Sequence, residues 1–170
     1  LLSLIVPALT VRLGLMPVAV LRDFALWQPL TYMFLHGGIG HLVFNMLALW
    51  MFGTDLERTW GTRFFTKYYF VTGIGAAFTT LLLAMWMDDI YYTVTVGASG
   101  AIYGLLLAYG LSFPNRPIYL YFVFPVPAKY FVMILGAIQL LLASSGGGGV
   151  AYTAHLGGIA TGWLYLKGIR

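Results

Sequence analysis

A short stretch of sequence decides the fold: GASGAIYGLLLAYGLSF, which runs from Gly97 to Phe113. Its length and apolar character predict a helix that begins at Ser99 and ends near Phe113. Ser99 is a polar residue at the head of this apolar run. Burying such a residue among apolar helices costs free energy, and polar residues retained there are commonly functional. Ser99 is therefore a candidate functional residue.

The composition indicates an integral membrane protein. Of the 170 residues, 61% are hydrophobic and 8% are charged, whereas soluble domains carry about 25% charged residues. The apolar runs suit transmembrane helices and lack the period-two alternation of membrane β-strands. The sequence contains no cysteine, which excludes disulfides and thiol catalysis.

The apolar runs predict an all-α bundle of six transmembrane helices in a single domain, residues 1–170. The first run, Leu1–Val11, would form a helix of only about 16 Å, against a hydrocarbon core of about 30 Å. Because the chain begins with Leu and not Met, we expect this helix to be clipped from a longer one. The other five helices are expected at about 40–56, 64–87, 99–113, 128–143 and 150–168.

The connections between these helices differ in character. The segment 12–35 is broken by glycine and proline, so we expect it to rest at the membrane interface. Residues Asp55 to Lys67 include a charged turn. The aromatic and β-branched run Tyr91–Val96 favours extended backbone. Prolines interrupt the segment 114–127, and the serine and glycine residues at 144–149 indicate a flexible loop that could act as a lid.

The helix of Ser99 is too short to cross the bilayer from surface to surface. It would measure about 22 Å, whereas the hydrocarbon core is about 30 Å thick. We infer that it begins below the surface and that the extended segment before it dips into the membrane. Irregular backbone is tolerated at that depth only where protein or a water-filled cavity surrounds it. The sequence therefore predicts a cavity at Ser99.

The basic residues predict an orientation in the membrane. Most of the 9 lysines and arginines fall on one side of the bundle, and the positive-inside rule places that side in the cytoplasm. This distribution explains the net charge of +4 without a nucleic-acid partner. Ser99, His41 and His155 then lie toward the outer face, and we expect a prokaryotic cell (inner) membrane. The cytoplasmic set is Arg58, Arg63, Lys67, Arg116, Lys129, Lys167 and Arg170.

His155, near the start of the last helix, is the candidate partner of Ser99. Its helix carries the small-residue motif Gly-x-x-x-Gly at 158–162, and the serine helix carries the same motif at 100–104. Small residues let membrane helices approach closely. Pairing of these two faces would bring His155 to Ser99. The alternative is two ordinary packing motifs and a histidine that is bonded to a backbone carbonyl.

The residues around Ser99 suit a reaction at that position. Gly97 and Gly100 leave room for a substrate backbone. Tyr103 lies one turn after Ser99 and could stack on His155. The alternatives are that Ser99 is a small packing residue and that Tyr103 belongs to the core or faces lipid.

His41 and Asn45 are four residues apart and share a helix face. Both can donate hydrogen bonds, so together with the N–H of Ser99 they could hold an oxyanion. The alternative is a polar pair that joins two helices. His36 lies about 140° round a helix from His41 and is expected in a loop, outside the site.

The acidic residues exclude other protease classes. A zinc protease would use a motif such as H-E-x-x-H, and no carboxylate accompanies the three histidines. We therefore predict no metal and no cofactor. An aspartyl protease is excluded for the same reason, and without an acid to orient His155 the catalytic unit would be a Ser–His dyad. The acids, at helix ends or in loops, are Asp23, Asp55, Glu57, Asp88 and Asp89.

In their order along the chain, these motifs resemble those of the rhomboid family of intramembrane serine proteases. The resemblance covers about residues 27–167. Each motif alone is weak, whereas the ordered set on a six-helix pattern is specific. The motifs are His36-x4-His41-x3-Asn45, Gly97-Ala98-Ser99-Gly100 with Tyr103, Ala154-His155-x-x-Gly158, and Phe52-Gly53 through Leu56-Glu57-Arg58 to Gly61.

The resemblance implies an endopeptidase whose substrates are transmembrane segments of other proteins, cut near the outer face with a preference for small residues. The family often has Trp-Arg in the first loop where this chain has Trp27-Gln28, and we expect that difference to affect loop packing. The implied roles are Ser99 as nucleophile, His155 as general base, His41, Asn45 and the Ser99 N–H as oxyanion hole, and Tyr103 as support for His155.

Two other functions are compatible with a membrane bundle. A non-enzymatic rhomboid-like protein would bind membrane helices, but such proteins typically lack the serine or the histidine, and this chain has both. A small transporter would use the cavity as a solute path. The absence of a charged residue in the middle of any predicted helix argues against transport.

Overall fold

The structure is a computed structural model that describes residues 7–120, 123–144 and 149–169, and this part of the chain is mostly helical. Two expectations fall wholly or partly outside these ranges. Most of the first apolar run and most of the predicted lid, Gly146–Gly149, belong to the residues not described.

The segment that precedes the long helices consists of short pieces, as predicted for a stretch that does not span. Its elements are α1 (Pro7–Leu13), α2 (Pro17–Arg22), α3 (Gln28–Thr31) and a 3₁₀ turn (Tyr32–Phe34). Proline opens α2 and is the second residue of α3, where its missing N–H costs nothing.

Gln28 holds this segment together. Its side chain is 2% exposed, and its Oε1 accepts a hydrogen bond of 2.9 Å from the backbone N–H of Met16. Its Nε2 donates to the backbone oxygen of Arg12 over 3.3 Å. These hydrogen bonds connect Gln28 to the end of α1 and the start of α2. The effect of the Trp27-Gln28 difference stays a prediction.

Within the described residues, two helices are long and apolar enough to cross a membrane, judged by length and composition. The first is a continuous stretch of α4 (Ile39–Ala48), a π-helical turn (Leu49–Gly53) and α5 (Thr54–Trp60); the second is α6 (Thr62–Ala84). The predicted six spans stay a prediction. The predicted helix end near residue 56 was wrong: the helix runs to Trp60 and ends at Gly61, whose φ is +79°. The acids at the predicted charged turn lie within α5, in its first turn.

The approach to Ser99 is extended only in part. Asp88 and Asp89 open a helical turn, α7 (Asp88–Tyr91), where their negative charge is favourable. The prediction of extended backbone was therefore wrong at Tyr91. It was right at Thr95, whose backbone pairs with Leu15 through two hydrogen bonds of 2.8 and 2.9 Å.

The second half of the chain contains α8 (Ser99–Ser112), α9 (Ala128–Ser144) and α10 (Gly149–Gly168), close to the predicted bounds. Between α8 and α9 lies an antiparallel hairpin of β1 (Pro117–Leu120) and β2 (Phe124–Pro127). The all-α prediction missed this hairpin. Pro117 pairs with Pro127, so the prolines occupy the first and last strand positions, where a missing N–H is tolerated.

Helix α8 is the central element of the bundle and packs against both α6 and α10. The backbone of Gly158 lies directly on the carbonyl of Gly100, so close that a β-carbon on Gly158 would overlap it. The expected glycine pairing is therefore present at these two residues. The other half of each motif meets α6 instead: Gly104 contacts Thr72, and Gly162 contacts the hydroxyl of Tyr68.

We predict that Gly158→Ala lowers the free energy of unfolding by about 1–3 kcal/mol, because the added methyl group meets backbone atoms that cannot rotate away. Thermal unfolding in detergent micelles measures the change. Gly136→Ala is the control, since its β-carbon would come no closer than 4.0 Å to Ile159. An equal loss in the free energy of unfolding for the two variants would contradict the close contact of α8 and α10.

Candidate active site

Ser99 and His155 are in hydrogen-bond contact. Ser99 Oγ lies 2.8 Å from His155 Nε2. Ser99 is the first residue of α8 and His155 lies in the second turn of α10, so the close backbone contact of Gly100 with Gly158 sets the separation of the two side chains. A hydroxyl hydrogen-bonded to an imidazole nitrogen is the arrangement that activates a serine nucleophile.

The other ring nitrogen of His155 meets a residue that the sequence analysis missed. Its Nδ1 lies 2.7 Å from Oε1 of Gln139, a side chain on α9 that is 6% exposed. Gln139 is a polar residue inside the apolar run of α9, the same signal that marked Ser99. It was overlooked because the search for a partner of His155 considered only carboxylates.

Tyr103 stacks on the imidazole of His155, with the ring centroids 4.3 Å apart and the planes 17° from parallel. Tyr103 lies one helical turn after Ser99, so both side chains face α10. The phenol of Tyr103 is also a polar neighbour of the Gln139 amide. Stacking restricts rotation of the imidazole about its long axis.

Ser99 opens into a cavity of about 270 Å³. Among the described residues that line it there is no aspartate or glutamate. The lining consists of Tyr32, His41, Asn45, Thr95, Val96, Gly97, Ser99, Gly100, Tyr103, Ala151, Ala154 and His155.

Asn45 and His41 present hydrogen-bond donors to this cavity. Asn45 is buried, and its Nδ2 has no hydrogen-bond partner within the described part of the chain. The backbone N–H of Gly37 donates to His41 Nδ1 over 3.4 Å. A neutral imidazole that accepts at Nδ1 carries its proton on Nε2, so His41 is also a donor. Both groups lie beside Gly97.

Gly97 shapes the floor of the cavity. Its φ is +124°, a conformation that residues with a side chain rarely adopt. A β-carbon there would lie 2.8 Å from His41 Cε1. The N–H of Gly97 donates to the Tyr32 carbonyl over 2.9 Å, which fixes the chain immediately before Ser99.

His36 and the acidic residues lie outside this cavity. His36 is buried in the loop before α4 and packs edge-on against His41, with ring centroids 5.2 Å apart. Within residues 7–120, 123–144 and 149–169, no three His, Cys, Asp or Glu side chains are grouped to hold a metal ion.

We predict that Gly97→Ala lowers the free energy of unfolding by about 1–3 kcal/mol, since the methyl group requires an unfavourable φ and meets the His41 ring. Chemical denaturation in detergent measures the loss. Gly38→Ala is the matched control: its φ is −178° and its β-carbon would have nothing within 4 Å. A loss no larger than that of the control would contradict this description of Gly97.

Comparison with protein families gives one match over most of the chain. Residues 23–169 match the Rhomboid domain. Relatives include "RHOMBOID-like protein 12, mitochondrial" of Arabidopsis thaliana, which is 31% identical over 153 residues. "Rhomboid protein 1, mitochondrial" of Saccharomyces cerevisiae is 37% identical over 138 residues. "Rhomboid protease GluP" of Bacillus subtilis is 32% identical over 140 residues.

These alignments cover most of this chain but only part of each relative. The shares of this chain are 83%, 78% and 81%, respectively. The shares of the relatives are 46%, 38% and 25%, so the chain spans less than half the length of each. The relatives come from a plant, a yeast and a bacterium, and two of the three are named mitochondrial. The comparisons therefore do not support the expected assignment to a prokaryotic membrane.

Proposed function

This chain belongs to the rhomboid family, and we propose that it is an intramembrane serine endopeptidase that cleaves transmembrane segments of other membrane proteins. The observation that carries the proposal is the 2.8 Å contact of Ser99 Oγ with His155 Nε2. It lies beside a cavity lined by Asn45, whose Nδ2 has no hydrogen-bond partner within the described residues. The two described helices of membrane-spanning length and the rhomboid protease of Bacillus subtilis among the relatives support the proposal.

In the first chemical step, Ser99 Oγ attacks the carbonyl carbon of a substrate peptide bond. The hydroxyl proton moves to Nε2 of His155, which acts as general base. The carbonyl oxygen becomes an oxyanion. Collapse of this intermediate breaks the C–N bond, His155 gives its proton to the leaving amine, and an ester of Ser99 remains.

The oxyanion is proposed to bind to Asn45 Nδ2, His41 Nε2 and the backbone N–H of Ser99. The first N–H groups of a helix have no partner within the helix and carry partial positive charge, and Ser99 opens α8. Donors aimed in advance at the position where charge develops stabilise the transition state without reorganisation.

The second step is hydrolysis of the ester. Water enters from the outer face of the membrane, His155 takes its proton, and the hydroxide equivalent attacks the acyl carbon. Ser99 then regains its proton as it leaves. No metal or cofactor takes part in either step of the proposal.

Substrate selection is proposed to depend on local unwinding. The carbonyl groups of a transmembrane helix are already hydrogen-bonded within the helix, so a helix must open before Ser99 can reach a peptide bond. We therefore propose that segments with glycine or proline near the cleaved bond are preferred, and that they enter from the outer side of the bilayer.

We predict that Ser99→Ala and His155→Ala both abolish labelling by a fluorophosphonate probe and cleavage of a transmembrane substrate in liposomes. Each removes one partner of the activating hydrogen bond. Ser112→Ala, at the other end of α8, should label like the unmodified protein. Persistent labelling of Ser99→Ala would disprove the nucleophile, and a folded, unmodified protein that neither labels nor cleaves would favour a binding protein.

We predict that Asn45→Ala lowers kcat by about 10²–10³-fold or less, the cost of one oxyanion donor in soluble enzymes, because His41 shares the role. Steady-state cleavage of a fluorogenic transmembrane peptide measures the change. Asn115→Ala is the control, because Asn115 is exposed in the turn after α8. An unchanged kcat for Asn45→Ala would remove Asn45 from the oxyanion hole.

A further inference from the structure

We propose that Gln139 is a positioning residue that fixes the tautomer and orientation of His155, in the place where a serine protease commonly has a carboxylate. This inference rests on the proposed function of Ser99 and His155. It starts from the 2.7 Å contact of Gln139 Oε1 with His155 Nδ1.

The hydrogen bonds define one arrangement of protons. To accept the Ser99 proton, Nε2 of His155 must carry a free lone pair, so the proton of the neutral ring must sit on Nδ1. An N–H at Nδ1 needs an acceptor, and the amide oxygen of Gln139 is at hydrogen-bonding distance. The chain of donors then runs from Ser99 O–H to Nε2, and from Nδ1–H to Oε1.

The direction of the amide decides whether Ser99 is activated. If the amide were rotated by 180°, its NH₂ group would face Nδ1 and donate to it. Nε2 would then carry the proton and donate to Ser99 Oγ, and the serine would have no base. The tautomer of a histidine is set by the partner of its other nitrogen, which makes Gln139 the determinant here.

Tyr103 is compatible with this direction of the amide, since a phenol hydroxyl can accept a hydrogen bond from an NH₂ group. With Oε1 directed at His155, the NH₂ group of Gln139 is left for its other polar neighbour, the hydroxyl of Tyr103. Tyr103 also stacks on the imidazole. Gln139 and Tyr103 thus support the same ring, one at its edge and one on its face.

A neutral amide differs from a carboxylate in how it affects the imidazolium. A carboxylate stabilises the protonated ring by charge as well as by hydrogen bonding, whereas an amide does so by hydrogen bonding alone. Around His155 the titratable neighbours in the described residues are Tyr103 on α8, Tyr152 on α10 and His41 on α4. No aspartate, glutamate, lysine or arginine is among the described cavity-lining residues, so no fixed charge there compensates for the missing carboxylate.

The test compares Gln139→Leu with Gln139→Glu in the rate of fluorophosphonate labelling between pH 5 and pH 9. The leucine variant lacks an acceptor, and we expect labelling to slow by about 10–100-fold, by analogy with the partners that orient metal-binding histidines. The glutamate variant keeps an acceptor. It should label readily at high pH, with the acid limb of its pH–rate profile displaced to higher pH.

The acid limb of the pH–rate profile moves to higher pH wherever the extra proton sits in the glutamate variant. At low pH the extra proton sits on the imidazole, or on the new carboxyl group, which then donates to Nδ1. Nε2 cannot accept in either state. A role limited to packing would leave the pH profile unchanged, so a profile identical to that of the unmodified protein would overturn the proposal even if the leucine variant did not fold.

Nitrogen NMR of ¹⁵N-histidine-labelled protein tests the tautomer directly. The chain has 3 histidines, and His155→Ala assigns the relevant pair of signals. We expect the Nδ1–H form in the unmodified protein and a shift toward the Nε2–H form in Gln139→Leu. Thr80→Val, which removes a buried hydroxyl bonded to Ala76 on α6, controls for the loss of a buried polar group.

The outcomes separate the two proposals. An unmodified protein that fails to label or cleave would refute the protease, whatever the tautomer. Normal labelling by a folded Gln139→Leu, or an unchanged His155 tautomer in it, would refute the role of Gln139 and leave the protease standing.

Discussion

The close backbone contact between Gly100 and Gly158 is the constraint on which the candidate site depends. Within a membrane, helices gain no hydrophobic free energy from leaving lipid for protein, so close packing of small residues drives their association. Because neither glycine has a side chain, α8 and α10 meet backbone to backbone. That separation lets the short side chain of Ser99 reach His155 at 2.8 Å. A side chain at Gly158 would overlap the Gly100 carbonyl and move Ser99 away from His155, whereas a side chain at Gly100 would first meet Ala76 of α6.

The second constraint is the cost of polar groups in apolar surroundings. Leaving a buried polar group without a hydrogen-bond partner costs about 1–3 kcal/mol. Most buried polar side chains in the described bundle have a partner; for example, Tyr32 donates to the Gly73 carbonyl and Tyr68 donates to the Gly104 carbonyl. Among the described residues, two of the buried side-chain atoms without a partner, Asn45 Nδ2 and Thr95 Oγ1, belong to residues that line the cavity beside Ser99. The third such atom, His36 Nε2, lies outside the cavity. In the proposed mechanism, the cavity is where the substrate carbonyl would bind.

Local sequence predicted the helix of Ser99 well, because its bounds depend on one segment. Matching Gly-x-x-x-Gly motifs on two distant segments predicted the contact of Gly100 with Gly158, whereas Gly104 and Gly162 contact α6 instead. Prediction failed where the interacting segments share no such motif. No spacing rule connects Gln139 to His155, since their contact arises only when α9 packs beside α10. The hairpin at 117–127 was missed for a different reason: its prolines suggest a loop. Only the pairing of the strands shows that Pro117 and Pro127 occupy strand ends and that Pro125 lies inside β2 opposite Tyr119. The helix end at Trp60 was missed because charged residues can continue a helix, and the left-handed φ of Gly61 ends it.

A neutral amide beside His155 costs less free energy to bury in this apolar bundle than a carboxylate would. Transferring a carboxylate to a low-dielectric interior costs several kcal/mol unless charges and hydrogen bonds compensate it, and the described cavity lining offers no cation to do so. An amide supplies the acceptor that fixes the tautomer at a much smaller desolvation cost. It also stabilises the imidazolium less, so more of the transition-state stabilisation must come from the oxyanion side. In the proposed mechanism the donors on the oxyanion side are Asn45 Nδ2, which has no partner within the described residues, the Nε2–H of His41 and the N-terminus of α8.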